Sequence, residues 1–177
     1  MIRFLNVLKI KKNVDKKIRQ IYTKMVSLYH NRAHYYSYRK EMSKGESIMV
    51  NEITRRVEME RYITRIMLDL GVPAHLKGYH FIREAILISE ADMEVVSSVT
   101  KLLYPEIARV YKTTAQKVER AIRNAIEVSW TRGNTETMEE LFGYSSASGK
   151  GRPTNSEYIA RIADKIRLDY RSSNIAS

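Results

Sequence analysis

Between Lys112 and Trp130 the chain reads KTTAQKVERAIRNAIEVSW, and helical spacing sorts its side chains into two sets. Gln116, Lys117, Arg120, Arg123, Asn124 and Glu127 collect on one side, and Ala115, Val118, Ala121, Ile122, Ala125 and Ser129 on the other. The small apolar set can seat a helix close against its neighbours. The polar set is a row of groups suited to base edges: arginine or lysine donates to guanine, asparagine or glutamine bridges adenine, and glutamate accepts from cytosine. Arg120 and Arg123 are the leading guanine candidates, each good bidentate pair being worth about 1–3 kcal/mol of discrimination. Lys117 and Thr114 suit phosphate, and Gln116 and Asn124 can share both tasks. Glu119, next to Arg120, would repel a phosphate backbone, so its place here is to orient the arginine or to read cytosine.

A reading helix over 114–130 must be held by a second element at a steep angle. LYPEIARVY precedes it: Pro105 suits the first turn of a helix, and Ala108 is small enough for a close crossing. Ile107 and Tyr111 line the inner face of this first helix, and Val118, Ala121 and Ile122 that of the second. Thr113 with Gln116 three residues on matches a capping box, which would fix the start of the second helix. Together they read as a helix-turn-helix, whose second helix enters the major groove. The turn lacks the glycine such turns often carry.

The surrounding elements are helical too. NEITRRVEMERYITRIMLDLG carries Ile53, Val57, Ile63, Ile66, Met67 and Leu70 on one face and stops at Gly71 and Pro73. GYHFIREAILISEA predicts a second helix, with Phe81, Ile82, Ala85, Ile86 and Ile88 inward, and MEVVSSVTKLLYP a third. ETMEELFGY closes near Gly143, Ser146 to Pro153 is a basic loop, and TNSEYIARIADKIRLDY is the last helix, with Thr154 and Glu157 as a capping box. No strand pattern of useful length occurs. The expected fold is all-α: a domain of about six helices over 51–177, preceded over 1–50 by a basic extension. In the extension Val14, Ile18, Ile21, Met25 and Leu28 mark an amphipathic helix and SKGES, Ser43 to Ser47, a linker.

With a net charge of +11, the 177-residue chain favours an anionic partner, nucleic acid before an acidic membrane surface. No cysteine is present, which excludes disulfides, thiolate metal sites and thiol catalysis. His30 and His34 share a helical face, and with His75 or His80 they raise a metal site, but no carboxylate set accompanies them. No serine sits in a nucleophile-elbow frame and no glycine-rich phosphate loop occurs. The expectation is a non-enzyme without cofactor or metal, in the cytoplasm, with no signal peptide and no stable membrane insertion.

The blocks GVPAHLKGYHFIREAI, LYPEIARVYKTTAQKVERAIRNAIEVSWTRGN, LFGY and PTNSEYIARIADKIRLDY follow one another in order. In them the stretch from about Asn51 to Tyr170 resembles the C-terminal effector domain of the stage-zero sporulation protein A family, response regulators of endospore formation. The resemblance implies a six-helix fold with a central helix-turn-helix that reads a short box with a TGNCGAA-like core, often in tandem copies, so that the domain self-associates there. On that analogy Gln116, Lys117, Glu119, Arg120, Arg123 and Asn124 form the DNA-reading face. TRGNTETMEELFGY corresponds to a surface for the sigma factor of RNA polymerase, with Gly133, Thr137 and Phe142 in it; core packing is the alternative for Phe142. The family's receiver domain has no counterpart here, since residues 1–50 show no buried strand runs and no acidic phosphorylation pocket. A second reading is therefore an interaction protein that antagonises or pairs with a full-length regulator through its N-terminal helix; a third is a membrane-surface helix protein.

Overall fold

The computed structural model describes residues 44–175. The predicted amphipathic helix at 14–28 and the His30/His34 pair lie outside the described residues. Those residues form seven α-helices: α1 Lys44–Asp69, α2 Lys77–Ala91, α3 Glu94–Ser97, α4 Tyr104–Val110, α5 Ala115–Arg132, α6 Thr135–Phe142 and α7 Asn155–Ile175. A π-helical turn at Val99–Leu103 and a 3-10 turn at Ser146–Ser148 complete them, and no strand occurs among them. The fold is all-α, as expected.

The chain divides into two compact units, Met1–Met59 and Glu60–Ser177. The division falls inside α1, which is already helical at Lys44, so residues 44–47 of the SKGES run are helical. In the first unit Ile53 and Met59 are buried.

The second unit begins with the end of α1, where the expected stop has a complete hydrogen-bonded form. Gly71 is left-handed at φ 69°. Its N–H donates to the Leu68 carbonyl, and the Val72 N–H reaches back to the Met67 carbonyl, each at 2.9 Å. This is the closing motif that satisfies the last orphan carbonyls of a helix, and the flanking Met67 and Val72 are both buried.

The core of this unit is built where α2, α4 and α7 pack on α5. Ile82, Ala85, Ile86, Ile107, Ile122, Ile126, Ile159, Ile162 and Ile166 are fully shielded from solvent. The tightest approach is at Gly78 of α2. A β-carbon there would stand 2.0 Å from the Ala121 carbonyl oxygen and 2.7 Å from the Ala125 β-carbon. Glycine is what lets α2 lie directly against the backbone of α5. At the far end of α5, Trp130 meets Phe142 edge-on at 5.9 Å, and Phe142 stacks on Tyr158 at 5.2 Å. Beneath them the Ser129 hydroxyl donates to the Leu70 carbonyl at 2.7 Å and lies 3.1 Å from the Tyr158 hydroxyl. Burial pushes the Tyr158 phenol well above its ordinary range, with the Ser129 contact acting weakly against it.

The predicted third helix is broken in two. Ser98 takes φ −127° and ψ 43°, outside helical values, and the Ser97 hydroxyl turns back onto the Glu94 carbonyl at 2.7 Å. Serines and β-branched residues compete poorly for a continuous helix here, and the chain re-enters through the wider π turn. Pro105 then opens α4 as expected.

Candidate nucleic-acid interface

α4 and α5 pack on one another, and the turn between them explains where α5 starts. Lys112 is left-handed at φ 52°, the one non-glycine with a positive φ among the described residues. It occupies the place of the missing glycine. The Thr113 N–H then donates to the Ala108 carbonyl at 2.9 Å, which closes α4. Thr113 is thus spent on the end of the first helix. The cap falls one residue later, on Thr114, whose hydroxyl accepts from the Lys117 N–H at 3.3 Å. The predicted Thr113/Gln116 capping box does not form, and Gln116 is left free to face outward.

Ala108 and Ile107 are buried as the crossing requires, and Val118, Ile122 and Ala125 are buried on the facing side. Tyr111 sits at the margin, 36% exposed, with its ring edge-on to Phe81 at 5.1 Å.

Thr114, Gln116, Lys117, Arg120, Arg123 and Asn124 are all exposed, and Glu119 is half-buried. Six of them share one side of the first turns of the helix, and Thr114 caps its start. The structure corrects one relationship within them: Glu119 pairs with Arg123, one helical turn on, and not with its neighbour Arg120. Residues four apart stack on a helix face whereas adjacent ones diverge, and glutamate N-terminal to a cation is the favourable order. Arg120 and Lys117 stand beside this pair.

Sequence reasoning missed the support on the other flank. Asn155, the first residue of α7, donates through Nδ2 to the Glu119 carbonyl at 3.2 Å and to the Tyr104 hydroxyl at 3.0 Å. Arg152 donates through Nη1 to the Arg123 carbonyl at 3.2 Å. Burial raises the Tyr104 phenol above its usual range, against the lowering effect of the Asn155 hydrogen bond. The Thr154/Glu157 box just beyond is formed in both directions. The Thr154 N–H donates to Glu157 at 2.7 Å, and the Glu157 N–H to the Thr154 hydroxyl at 3.3 Å. Donation from the Thr154 backbone, then from its hydroxyl, holds the Glu157 carboxyl below its ordinary range.

Of the residues placed by analogy on a polymerase surface, Phe142 is a core residue, buried between Trp130 and Tyr158. Gly133 is walled in: a β-carbon there would lie 2.4 Å from the Leu70 carbonyl oxygen and 2.6 Å from that of Ser129. Both shape the junction between α5 and α6 and offer little side chain to a partner. Thr137 is partly exposed, and its N–H donates to the capping Asn134 side chain at 3.0 Å.

His75 and His80 are exposed, and no cluster of metal-binding side chains occurs among the described residues. No helix among them is long and apolar enough to cross a membrane.

The protein-family model described as "Sporulation initiation factor Spo0A C terminal" matches residues 63–166. The match takes in more than half of the chain, including α2, α4, α5 and most of α7. The chain therefore belongs to the Spo0A C-terminal family of sporulation-related DNA-binding effector domains.

Proposed function

We propose that this chain is a sequence-specific transcription regulator that inserts α5 into the major groove of duplex DNA. One observation carries the reading: Gln116, Lys117, Arg120, Arg123 and Asn124 stand exposed together on the first turns of a helix whose opposite face buries Val118, Ile122, Ala125, Ile126 and Ser129 in the core. Arg120 and Arg123 read guanine, Asn124 and Gln116 read adenine or bridge to phosphate, and Glu119 accepts from cytosine or holds Arg123 until a base replaces it. Lys117 and Thr114 grip phosphate. The protein has no catalytic task, works in the cytoplasm, and self-associates on tandem boxes through duplex-bound neighbours. A polymerase sigma factor docks on the exposed side of α6, around Thr137.

The test is selection of duplexes from a random pool at stated salt, followed by binding of variants to the selected and to random duplexes. Arg120→Ala should reduce the ratio of specific to random affinity by the worth of one base pair contact, about 5- to 150-fold. Lys117→Ala should weaken both duplexes alike and lower the salt slope by about 1. An unchanged ratio for Arg120→Ala would overturn its role, and a wild-type protein that enriches no sequence would overturn the reading as a whole.

A further inference from the structure

The base-reading helix is gripped on its flank by a segment far away in sequence. The Arg152 guanidinium and the Asn155 amide donate to the carbonyls of Arg123 and Glu119, at 3.2 Å each. These carbonyls are four residues apart, so they lie one above the other on a single side of α5. Both are interior to the helix and already within reach of its own i+4 N–H groups, so the added donors use second lone pairs. They do not hold the helix together; they hold its side.

The holding segment is itself stiff. Pro153, between the two donors, is buried and fixes its own φ, and Thr154 is locked by the reciprocal box with Glu157. The second hydrogen of the Asn155 amide goes to the Tyr104 hydroxyl at 3.0 Å, at the start of α4. A single amide thus ties the first helix of the pair, the second helix and α7 together. Two points on one side of a cylinder, one turn apart, resist rotation of that cylinder about its own axis. Beneath the first turns of α5 the buried side chains are Val118, Ile122 and Ala125, whose contacts are non-directional and resist such rotation weakly, and the directional Ser129 contacts lie at the far end of the helix.

We infer that Asn155 and Arg152 are positioning residues for sequence discrimination: they fix the rotation of α5, and hence the direction in which Arg120, Arg123 and Asn124 point. The inference rests on the reading of α5 proposed above. Rotation by about 10° carries a side-chain atom about 6 Å from the helix axis through about 1 Å. That displacement breaks the distance and angle limits of a bidentate contact with a base. Attraction to phosphate survives it, because a charge interaction has no such angular limit.

The test uses the full chain, with the duplex selected by the wild-type protein and a random duplex of equal length. Asn155→Ala should lower the ratio of specific to random affinity by about fivefold while random affinity is retained. Tyr104→Phe removes the hydroxyl that orients the amide and should lower the ratio in the same direction. The double variant should lose less than the product of the two single losses, as partners in one network do. Partial unfolding cannot imitate this, since a smaller folded fraction scales both affinities equally and cancels in the ratio. Arg152→Ala should also lower the ratio, with the salt slope unchanged. If it instead weakens both duplexes alike and flattens the slope, Arg152 is a phosphate contact and its part of the inference falls. If the wild-type protein discriminates but Asn155→Ala and Tyr104→Phe keep its ratio, the positioning role is overturned and the reading of α5 stands. If the wild-type protein does not discriminate, both are overturned.

Discussion

Replacing Gly78 by alanine adds one methyl group at the place where α2 lies on the backbone of α5. The new β-carbon would stand 2.0 Å from the Ala121 carbonyl oxygen, 2.7 Å from its carbonyl carbon and 2.7 Å from the Ala125 β-carbon. An unstrained carbon–oxygen contact is about 3.3 Å or more, so α2 and α5 must separate by about 1.3 Å if they move along that line. Neither wall is the tip of a flexible side chain, so the strain has to be taken up by whole helices. Forcing a methylene-sized group into a close-packed core costs about 1–3 kcal/mol, occasionally more. A carbonyl oxygen this close puts Gly78 at the upper end of that range. Alanine regains about 1 kcal/mol over glycine through helix propensity. The net expectation is a loss of about 2 kcal/mol, the difference of those two terms. Urea unfolding followed by circular dichroism would measure it as a lower midpoint at unchanged slope. Gly151→Ala is the control: nothing lies within 4 Å of a β-carbon there, so it should stay within about 0.5 kcal/mol of wild type. A Gly78→Ala protein as stable as wild type would refute the claim that backbone contact at this point seats α5. The same variant should also lose duplex discrimination, because α5 cannot be pushed off α2 without shifting against α4.

Lys112 holds a conformation that costs a side-chain-bearing residue about 1–2 kcal/mol. Lys112→Gly removes that cost and adds about 0.4–1 kcal/mol of unfolded-chain entropy, so the unfolding free energy should rise by about 0.5–1 kcal/mol; a lower midpoint would contradict the assigned turn. Glu157 has a carboxyl held below its ordinary range by Thr154, so its contribution to stability is present above the unfolded value, 4.5, and is lost as pH falls through the folded one. Glu157→Gln keeps an acceptor for the box but does not titrate. Its deficit relative to wild type should therefore shrink as unfolding is measured at progressively lower pH below that value, and a gap that stays constant would show that the box does not depend on the charge.

Much of the candidate site was legible because it depends on local periodicity. The buried and exposed sides of α5 follow directly from apolar groups at spacings of three and four, and the stop at Gly71 and the Thr154/Glu157 box are both short-range patterns. What failed was decided by competition or by distance. Thr113 and Thr114 are equally good caps by type. The choice went to Thr114 because closing α4 through Lys112 claims the Thr113 N–H. Glu119 could have faced Arg120 or Arg123, and helix geometry settles that in favour of the residue a turn away. Gly78 carries no local signal of its role, since the Ala121 carbonyl it accommodates is 43 residues further on. Asn155 read as no more than the start of a helix, because its two partners are 36 and 51 residues away. Phe142 was ambiguous by type, an aromatic residue at the end of an amphipathic helix, and the stacking partner that buries it lies on another element.

The placement of Glu119 bears on how a basic domain would avoid binding every duplex equally. Its pair with Arg123 lies on the surface, the two side chains being 35% and 54% exposed, and is of a kind worth about 0.3–0.5 kcal/mol. A bidentate contact between an arginine and guanine discriminates by about 1–3 kcal/mol, so a correct base can draw Arg123 away. On a wrong sequence that exchange brings no gain. The helix then presents a carboxylate toward phosphates without a cytosine amine to accept from, and the arginine stays with its partner. On the proposed reading, the same carboxylate shelters the arginine in the free protein and penalises the wrong register. Lys117 and Arg120 lie outside the pair, and on that reading Lys117 keeps its attraction for any duplex. General affinity on the proposed reading comes from Lys117, and discrimination from Arg120 together with Arg123, the cation that must be released, which works only if α5 cannot turn to relieve the mismatch. The grip of Asn155 and Arg152 on the Glu119 and Arg123 carbonyls acts at those same two residues, through the backbone and not the side chains, so it leaves the exchange free while denying the helix that escape.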